Sequence, residues 1–215
     1  MPRDLVKLHR VKTIEVFADI WCPFAHVGIR CVIERRVQLK REDAVLRVRA
    51  WPLELVNEAP LDPNATARHV RELRRQVAPD LFHGFDSKHF PKTTLPALAW
   101  VNAAYKTDLR RGEAVSLALR NALFENGVDI SDPVSLSALA RAEGVESFDA
   151  TDEQAVLADW HEGKARAVKG SPHFFCGDAD AFCPSLDIFK DGTGHLDVKR
   201  NLAVLDAFLE SCFNG

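Results

Sequence analysis

A cysteine stands at the junction between a predicted strand and a predicted helix, and this junction constrains the fold of the chain. Residues 13–18 (Thr-Ile-Glu-Val-Phe-Ala) alternate in polarity and are rich in strand-forming residues. After Cys22 and Pro23, apolar residues recur at spacings of three and four, which predicts a helix. Residues 45–51 alternate again and predict a second strand. Because strand, helix and strand follow one another, we expect the two strands to be parallel.

The segment that follows the second strand carries helix signals and no convincing strand signal. Helical patterns begin near Asn64, Pro96, Glu113, Pro133 and Thr151. This segment is longer than a simple crossover requires, so we predict an inserted all-helical subdomain over residues 52–169. Residues 1–51 and 170–215 then form the main α/β domain.

The last part of the chain predicts a hairpin and a helix. Residues 170–176 form an apolar segment that favours a strand, and residues 185–190 are its predicted hairpin partner. Residues 200–213 predict a closing amphipathic helix. Its predicted inward residues are Leu202, Leu205, Phe208 and Leu209.

Composition narrows the classes of partner. The chain has 28 Lys and Arg against 31 Asp and Glu, a net charge of −3, which argues against nucleic acid or an anionic membrane as a partner. Residues 1–7 lack the apolar core of a signal peptide, and no apolar run is long enough to span a bilayer. We therefore expect a soluble, cytoplasmic protein.

The position of Cys22 predicts a reactive thiol. The first N–H groups of a helix lack partners, and the helix dipole favours an anion at this end. Pro23 fits the first helical position because its missing N–H costs nothing there. A shift of the thiol pKa from about 8.5 to about 6 would need about 3.4 kcal/mol of preferential stabilisation of the anion. A buried structural cysteine is the alternative interpretation.

The residues around Cys22 also resemble a known active site. Residues 21–28 (Trp-Cys-Pro-Phe-Ala-His-Val-Gly) resemble the active-site segment of DsbA-like thiol oxidoreductases in the thioredoxin-like superfamily, and are most similar to the FrnE-type and 2-hydroxychromene-2-carboxylate isomerase branch. The resemblance implies an α/β thioredoxin-like fold with a large all-helical insertion. It also implies a cis-proline opposite the cysteine, for which Gly170-Ser171-Pro172 is similar to the family loop. By the same resemblance, Ser171 and Pro172 would bind an extended substrate or a thiol cofactor beside Cys22.

Two departures from the family shape the predicted chemistry. Ala25 stands where a Cys-x-x-Cys motif has its second cysteine, so this motif cannot form its own disulfide. The related isomerases and kappa-class glutathione transferases usually have serine at the nucleophile position, where this chain has Cys22. The sequence thus predicts a single thiol that an external thiol, such as glutathione or mycothiol, must resolve.

Neighbouring side chains are further candidates for the site. His26 follows Cys22 by four residues and shares its helix face, so it would hold a proton or stabilise the thiolate, or else only pack. Trp21, Pro23 and Phe24 are predicted to line a thiol-binding site, although packing alone would also explain the two aromatic residues.

Other cysteines and histidines receive weaker predictions. Cys31 lies two and a half turns from Cys22 and is expected in the core. Cys176 and Cys183 either approach each other across the hairpin or remain thiols, and Cys212 has no predicted role. A loop flanked by two histidines, at positions 83 and 89, is predicted to be solvent-exposed or to form a lid, and no metal site is predicted.

Three functions remain open from the sequence. The leading hypothesis is a thiol–disulfide oxidoreductase that acts on a disulfide-containing protein or a small thiol. The second is a thiol-dependent isomerase or transferase with an organic substrate, and the third is a redox-inactive binding protein. Monomer and homodimer are both compatible with the sequence.

Overall fold

The computed structural model describes residues 11–192 and 195–214, so the predictions on residues 1–7 lie outside the described residues. The strands are β1 (Lys12–Ala18), β2 (Ala44–Ala50), β3 (His173–Cys176), β4 (Ala179–Phe182), β5 (Leu186–Lys190) and β6 (Leu196–Arg200). The helices are α1 (Pro23–Gln38), α2 (Leu53–Val56), α3 (Pro63–Gln76), α4 (Leu95–Thr107), α5 (Leu109–Asn126), α6 (Pro133–Ala142), α7 (Ala150–Ala165) and α8 (Leu202–Asn214), with a short 3₁₀ helix at Ser87–His89.

Four strands form the main sheet in the order β2-β1-β3-β4. β1 and β2 are parallel, in register from Lys12 opposite Ala44 to Ala18 opposite Ala50, as the crossover unit predicts. β3 runs antiparallel to both β1 and β4. This mixed α/β arrangement, with α2 to α7 between β2 and β3, is a thioredoxin-like fold with a helical insertion.

The helices between β2 and β3 confirm that this segment contains no strand. Their starts differ from the prediction by a few residues because caps decide them. α5 begins at Leu109 rather than at Glu113, since the Asp108 carboxylate accepts hydrogen bonds from the N–H groups of Arg110 and Arg111. The division into two domains at residues 51 and 169 stays a prediction.

The outer edge of β2 is covered by side chains of the inserted helices. The N–H of Leu46 donates to Glu113 Oε2 at 2.7 Å, and the N–H of Val48 donates to the Tyr105 hydroxyl at 2.8 Å. The N–H of Ala50 donates to an Asp159 carboxylate oxygen at 2.9 Å. Three alternate donors of an edge strand are thereby satisfied, although no further strand pairs with them.

The predicted hairpin partner of β3 is wrong. β3 pairs with β4, while residues 186–190 form β5, which pairs with β6 in a second sheet. Gly177, with a φ of +60°, makes a two-residue turn directly after Cys176. β4 (Ala-Asp-Ala-Phe) lacks β-branched residues, so the sequence pattern gives it no strand signal.

The closing helix brings a correction of the cysteine predictions. Cys176 and Cys212 form a disulfide with a Cα–Cα distance of 5.4 Å. Cys176 therefore does not pair with Cys183, and the expectation that Cys212 has no role is wrong. α8 buries Leu205, as expected, but leaves Leu202 50% exposed. The prediction for Leu202 is wrong because α8 begins at this residue and its buried residues all lie further along the helix.

Candidate active site

Cys22 caps the N-terminus of α1 in extended backbone geometry, with Pro23 at the first helical position. Its Sγ donates a hydrogen bond to the Ser171 carbonyl oxygen at 3.1 Å. The peptide bond between Ser171 and Pro172 is cis, the isomer that the family resemblance implies. The structure therefore brings together the two segments that the sequence singled out.

Gly28 allows α1 to approach the proline. A Cβ at Gly28 would lie 3.0 Å from Pro172 Cγ and 3.6 Å from Ser185 Oγ. Any larger residue at this helix position would push against the proline ring, so the glycine sets the distance between α1 and the start of β3.

A buried carboxyl group stands directly behind Cys22. The Asp19 N–H donates to Ser171 Oγ at 2.9 Å, and the Asp19 carboxylate accepts from the Leu53 N–H at 2.5 Å and from Thr94 Oγ1 at 2.7 Å. Asp19 has no exposed surface. Burial raises the pKa of Asp19 to about 6, against the opposing effect of these hydrogen bonds.

A buried arginine reaches the same segment from α5. Arg120 Nη1 donates to the Asp19 carbonyl oxygen at 2.7 Å and approaches the Ile20 carbonyl oxygen at 3.5 Å. Arg120 is fully buried, and burial lowers its pKa to about 10. The guanidinium is still a cation at neutral pH.

The predicted lowering of the Cys22 pKa is wrong for this structure. Cys22 is only 4% exposed, and burial raises the pKa of its thiol. The Ser171 side chain and the Ala25 backbone lower the pKa of Cys22 but do not reverse the effect of burial. The helix N-terminus favours the thiolate, but enclosure of the sulfur favours the neutral thiol more strongly.

His26 is turned towards α5 and binds a carboxylate there. Its Nε2 lies 2.7 Å from Glu125 Oε1, and its ring contacts those of Phe82 and Phe124. Burial lowers the pKa of His26 to about 4, so the ring is neutral at neutral pH. Burial opposes ionisation of Glu125 as well, but hydrogen bonds from His26 and backbone N–H groups hold its pKa at about 2. A role of His26 at the Cys22 sulfur stays a prediction.

The residues next to Cys22 differ in their exposure to solvent. Trp21 has no exposed surface and stacks on Phe90, with ring centroids 5.6 Å apart, which favours the packing interpretation for this residue. Pro23 is buried, and Phe24 is partly exposed with its ring 5.3 Å from that of His69. Thiol binding by these residues stays a prediction, with Phe24 the more accessible aromatic side chain.

Two further free cysteines lie in the core. Cys31 is 5% exposed, which confirms the core prediction, and Arg200 Nη1 donates to its Sγ at 3.3 Å. The Cys183 N–H donates to the Pro172 carbonyl oxygen at 3.0 Å, which places this residue beside the proline loop. Burial raises the pKa of Cys183 to about 12, so its thiol is protonated.

Neither a metal-binding cluster nor a membrane-spanning helix is found in the described part of the chain. Across residues 11–192 and 195–214, no group of three or more His, Cys, Asp or Glu side chains is arranged to hold a metal ion. His83 and His89 are both exposed. The same residues include no helix that is long and apolar enough to cross a membrane.

Sequence reasoning missed several residues of this site. Asp19 precedes Cys22 by three residues, and a carboxylate next to a predicted reactive cysteine was a usable signal. Arg120 and Glu125 come from α5, about a hundred residues away along the chain. No local pattern indicates which polar residues of a remote helix will face a given site.

Fold and site together define a thioredoxin-fold protein with a cysteine at the N-terminus of α1 and a cis-proline opposite it. The chain belongs to the DSBA-like thioredoxin domain family, whose model matches residues 13–192. No curated protein matches the chain significantly.

Solved structures with the same fold share little sequence with the chain. A putative protein disulfide isomerase from Nitrosomonas europaea has a TM-score of 0.65 at 18% identity, covering 93% of this chain and 96% of that one. Cytosolic disulfide reductase DsbM from Pseudomonas aeruginosa has a TM-score of 0.62 at 17% identity, with 93% and 97% covered. A 2-hydroxychromene-2-carboxylate isomerase has a TM-score of 0.54 at 17% identity, with 79% and 88% covered.

Proposed function

We propose that the chain is a thiol–disulfide oxidoreductase that acts through Cys22 alone, with a low-molecular-weight thiol such as glutathione or mycothiol as co-substrate. The observation that carries the proposal is the contact between Cys22 Sγ and the Ser171 carbonyl oxygen at 3.1 Å, in a family of thioredoxin-fold proteins, with Ala25 in place of a second cysteine. The similar DsbM has also been solved with GSH, which supports a small thiol as the partner.

The chemistry balances with one protein thiol. The Cys22 thiolate attacks one sulfur of a disulfide R–S–S–R′, so the bond Cys22–S–S–R forms and R′–S⁻ leaves and takes up a proton. An external thiolate then attacks the sulfur of R, which forms a new disulfide and returns the electron pair to Cys22 Sγ. Because Cys22 is 4% exposed, a small sulfur compound meets it more easily than a bulky protein disulfide.

The test is adduct formation at Cys22. The reduced protein is incubated with glutathione disulfide, and with the disulfide of mycothiol, and the product is followed by intact mass and peptide mapping. We expect one adduct on Cys22 that added thiol releases, and none in Cys22→Ser. Cys31→Ser, which removes another buried free cysteine, is the matched control and should keep the adduct.

Other outcomes favour other functions. The absence of a Cys22 adduct with either disulfide would contradict the proposal. Turnover of an electrophilic aromatic substrate with added glutathione that survives Cys22→Ser would favour the thiol-dependent isomerase or transferase. Stable capture of a partner without turnover in either assay would favour a binding protein.

A further inference from the structure

Arg120 is a buried cation whose hydrogen bonds are only partly satisfied. Its side chain has no exposed surface, and Nη1 alone donates, to the carbonyl oxygens of Asp19 and Ile20. Within the described residues, Nε and Nη2 have no hydrogen-bond partner. Charged residues are almost never fully buried without a partner, because removing a charge from water costs several kcal/mol. An anion near this guanidinium would therefore offset the cost of burying its charge.

Four ionisable groups interact electrostatically with Arg120. The strongest charge coupling is to Cys22, followed by Asp19 and then by Tyr105 from α4. His26 from α1 also senses the charge. Tyr105 is neutral, since burial raises its pKa, and His26 is neutral at neutral pH. Cys22 and Asp19 are thus the two groups that can supply a negative charge.

The Asp19 carboxylate is already engaged elsewhere. Its two oxygens accept hydrogen bonds from the Leu53 N–H and from Thr94 Oγ1, and Arg120 reaches only the backbone carbonyl of Asp19. The side-chain N–H groups of Arg120 that remain free are therefore not used by this carboxylate. The Cys22 sulfur, which follows the two carbonyl groups held by Arg120, is the remaining candidate anion.

We propose that Arg120 is the positioning residue that supplies the counter-charge for the Cys22 thiolate. This inference rests on the proposed function, in which the thiolate is the attacking group and later the leaving group. A fixed cation in a low-dielectric site attracts an anion far more strongly than it would in water. The effect applies twice: when the thiol loses its proton, and when the external thiol returns the electron pair to Cys22 Sγ.

The proposal limits how far burial suppresses the Cys22 thiolate. Enclosure raises the pKa of Cys22 above its ordinary value even in the presence of Arg120. The Arg120 charge acts in the direction of the thiolate. Cys22 and Asp19 share one positive charge. Ionisation of either group therefore makes ionisation of the other less favourable.

The test is the pH dependence of Cys22 alkylation, followed by peptide mapping so that only Cys22 is counted. Arg120→Gln removes the charge and keeps a donor for the Asp19 carbonyl, whereas Arg120→Lys keeps the charge. We expect the apparent pKa of Cys22 to rise by at least about one unit in Arg120→Gln, which is about a tenfold loss of alkylation rate at neutral pH, and to recover at least in part in Arg120→Lys.

Arg36→Met is the matched control. Arg36 on α1 pairs with Glu113 from α5 at 2.6 Å, and it lies fourteen residues after Cys22, about 20 Å along α1. Loss of this arginine should lower stability without moving the alkylation profile. If Arg120→Gln fails to fold, Arg120→Lys decides by its profile, which must stay within about one unit of the wild type.

A wild-type profile in folded Arg120→Gln would overturn the inference, and so would equal shifts in Arg120→Gln and Arg36→Met. Failure of the proposed function is recognised separately. If the profile shifts as expected but no disulfide forms an adduct with Cys22, the counter-charge stands and the oxidoreductase proposal falls. If adducts form and the profile does not shift, the oxidoreductase proposal stands and the counter-charge inference falls.

Discussion

The buried titratable groups of this site differ in how burial changes their protonation. His26 and Glu125 form a hydrogen-bonded pair in which the ring stays neutral and the carboxylate stays ionised. Asp19 is the opposite case, because burial makes its carboxyl group harder to ionise. As pH falls, the titration of His26 and Glu125 lowers the stability of the folded protein, whereas the titration of Asp19 raises it.

His26 should make the protein sensitive to mild acid. Its pKa is about 4 in the folded protein against an ordinary value of 6.5, so across this window the unfolded chain binds a proton that the folded chain does not. Stability therefore falls as pH is lowered from 6.5 towards about 4. The prediction is that His26→Asn loses less stability than the wild type between about pH 7 and about pH 4.5, measured by urea unfolding.

The comparison must be made as a difference between variants. Asp19, with a pKa raised to about 6, contributes with opposite sign, because the folded protein takes up its proton first. His161→Asn, at an exposed histidine, is the control and should follow the wild-type curve. An acid loss of equal size in His26→Asn and in the wild type would refute the assignment.

At the scale of elements, the edge of β2 shows how the insertion stabilises the sheet. Tyr105 from α4 both accepts from the Val48 N–H and donates to the Leu46 carbonyl oxygen at 2.9 Å. Its hydroxyl thus takes the place of a neighbouring strand at this point. The adjoining donors are met by Glu113 and Asp159 from α5 and α7.

Tyr105→Phe tests the contribution of the hydroxyl to stability, because it removes only this group. The variant leaves one buried N–H and one carbonyl group of β2 without a partner, which costs about 1–3 kcal/mol. We expect a lower midpoint in urea with an unchanged m-value. Ser137→Ala, which removes a hydroxyl from a partly exposed residue on α6, should leave the midpoint unchanged. A wild-type midpoint in Tyr105→Phe would show that the hydroxyl does not bear on stability.

The elements also show where sequence-based prediction succeeds. The first strand, α1 and β2 follow from strong local periodicity, and the resemblance around Cys22 supplied the Ser171–Pro172 loop. β4 was missed because four residues without a β-branched side chain pair only through the turn at Gly177. Arg120 was out of reach because its neighbours are set by the packing of α5 on the sheet, which no local pattern encodes.

For the whole molecule, one covalent bond ties the end of the chain to the sheet. Cys176 in β3 and Cys212 in α8 are separated by 36 residues along the chain. The sequence could not single out this pair from five cysteines, because the pairing depends on where α8 lies against the sheet. The disulfide closes a loop that contains both strands of the second sheet.

Removal of this disulfide should lower the free energy of unfolding. Closure of a loop of this length stabilises the folded state by about 2–4 kcal/mol, since it restricts the unfolded chain. The double variant Cys176→Ser, Cys212→Ser should therefore unfold at lower urea concentration than the wild type, and added reductant should not shift it further. Cys183→Ser, which leaves the bond intact, should keep the response to reductant. Equal stability of the double variant and the oxidised wild type would contradict this expectation.

The side-chain cover over β2 has a consequence for engineering. Excising the helices between β2 and β3 to obtain a minimal thioredoxin core would remove Glu113, Tyr105 and Asp159 together. Three alternate N–H donors on the edge strand β2 would then lack partners. Such an edge recruits strands from other molecules. The helical insertion therefore cannot be removed without replacing its cover of β2. A shortened protein would need charged residues or an added strand at this edge to prevent aggregation.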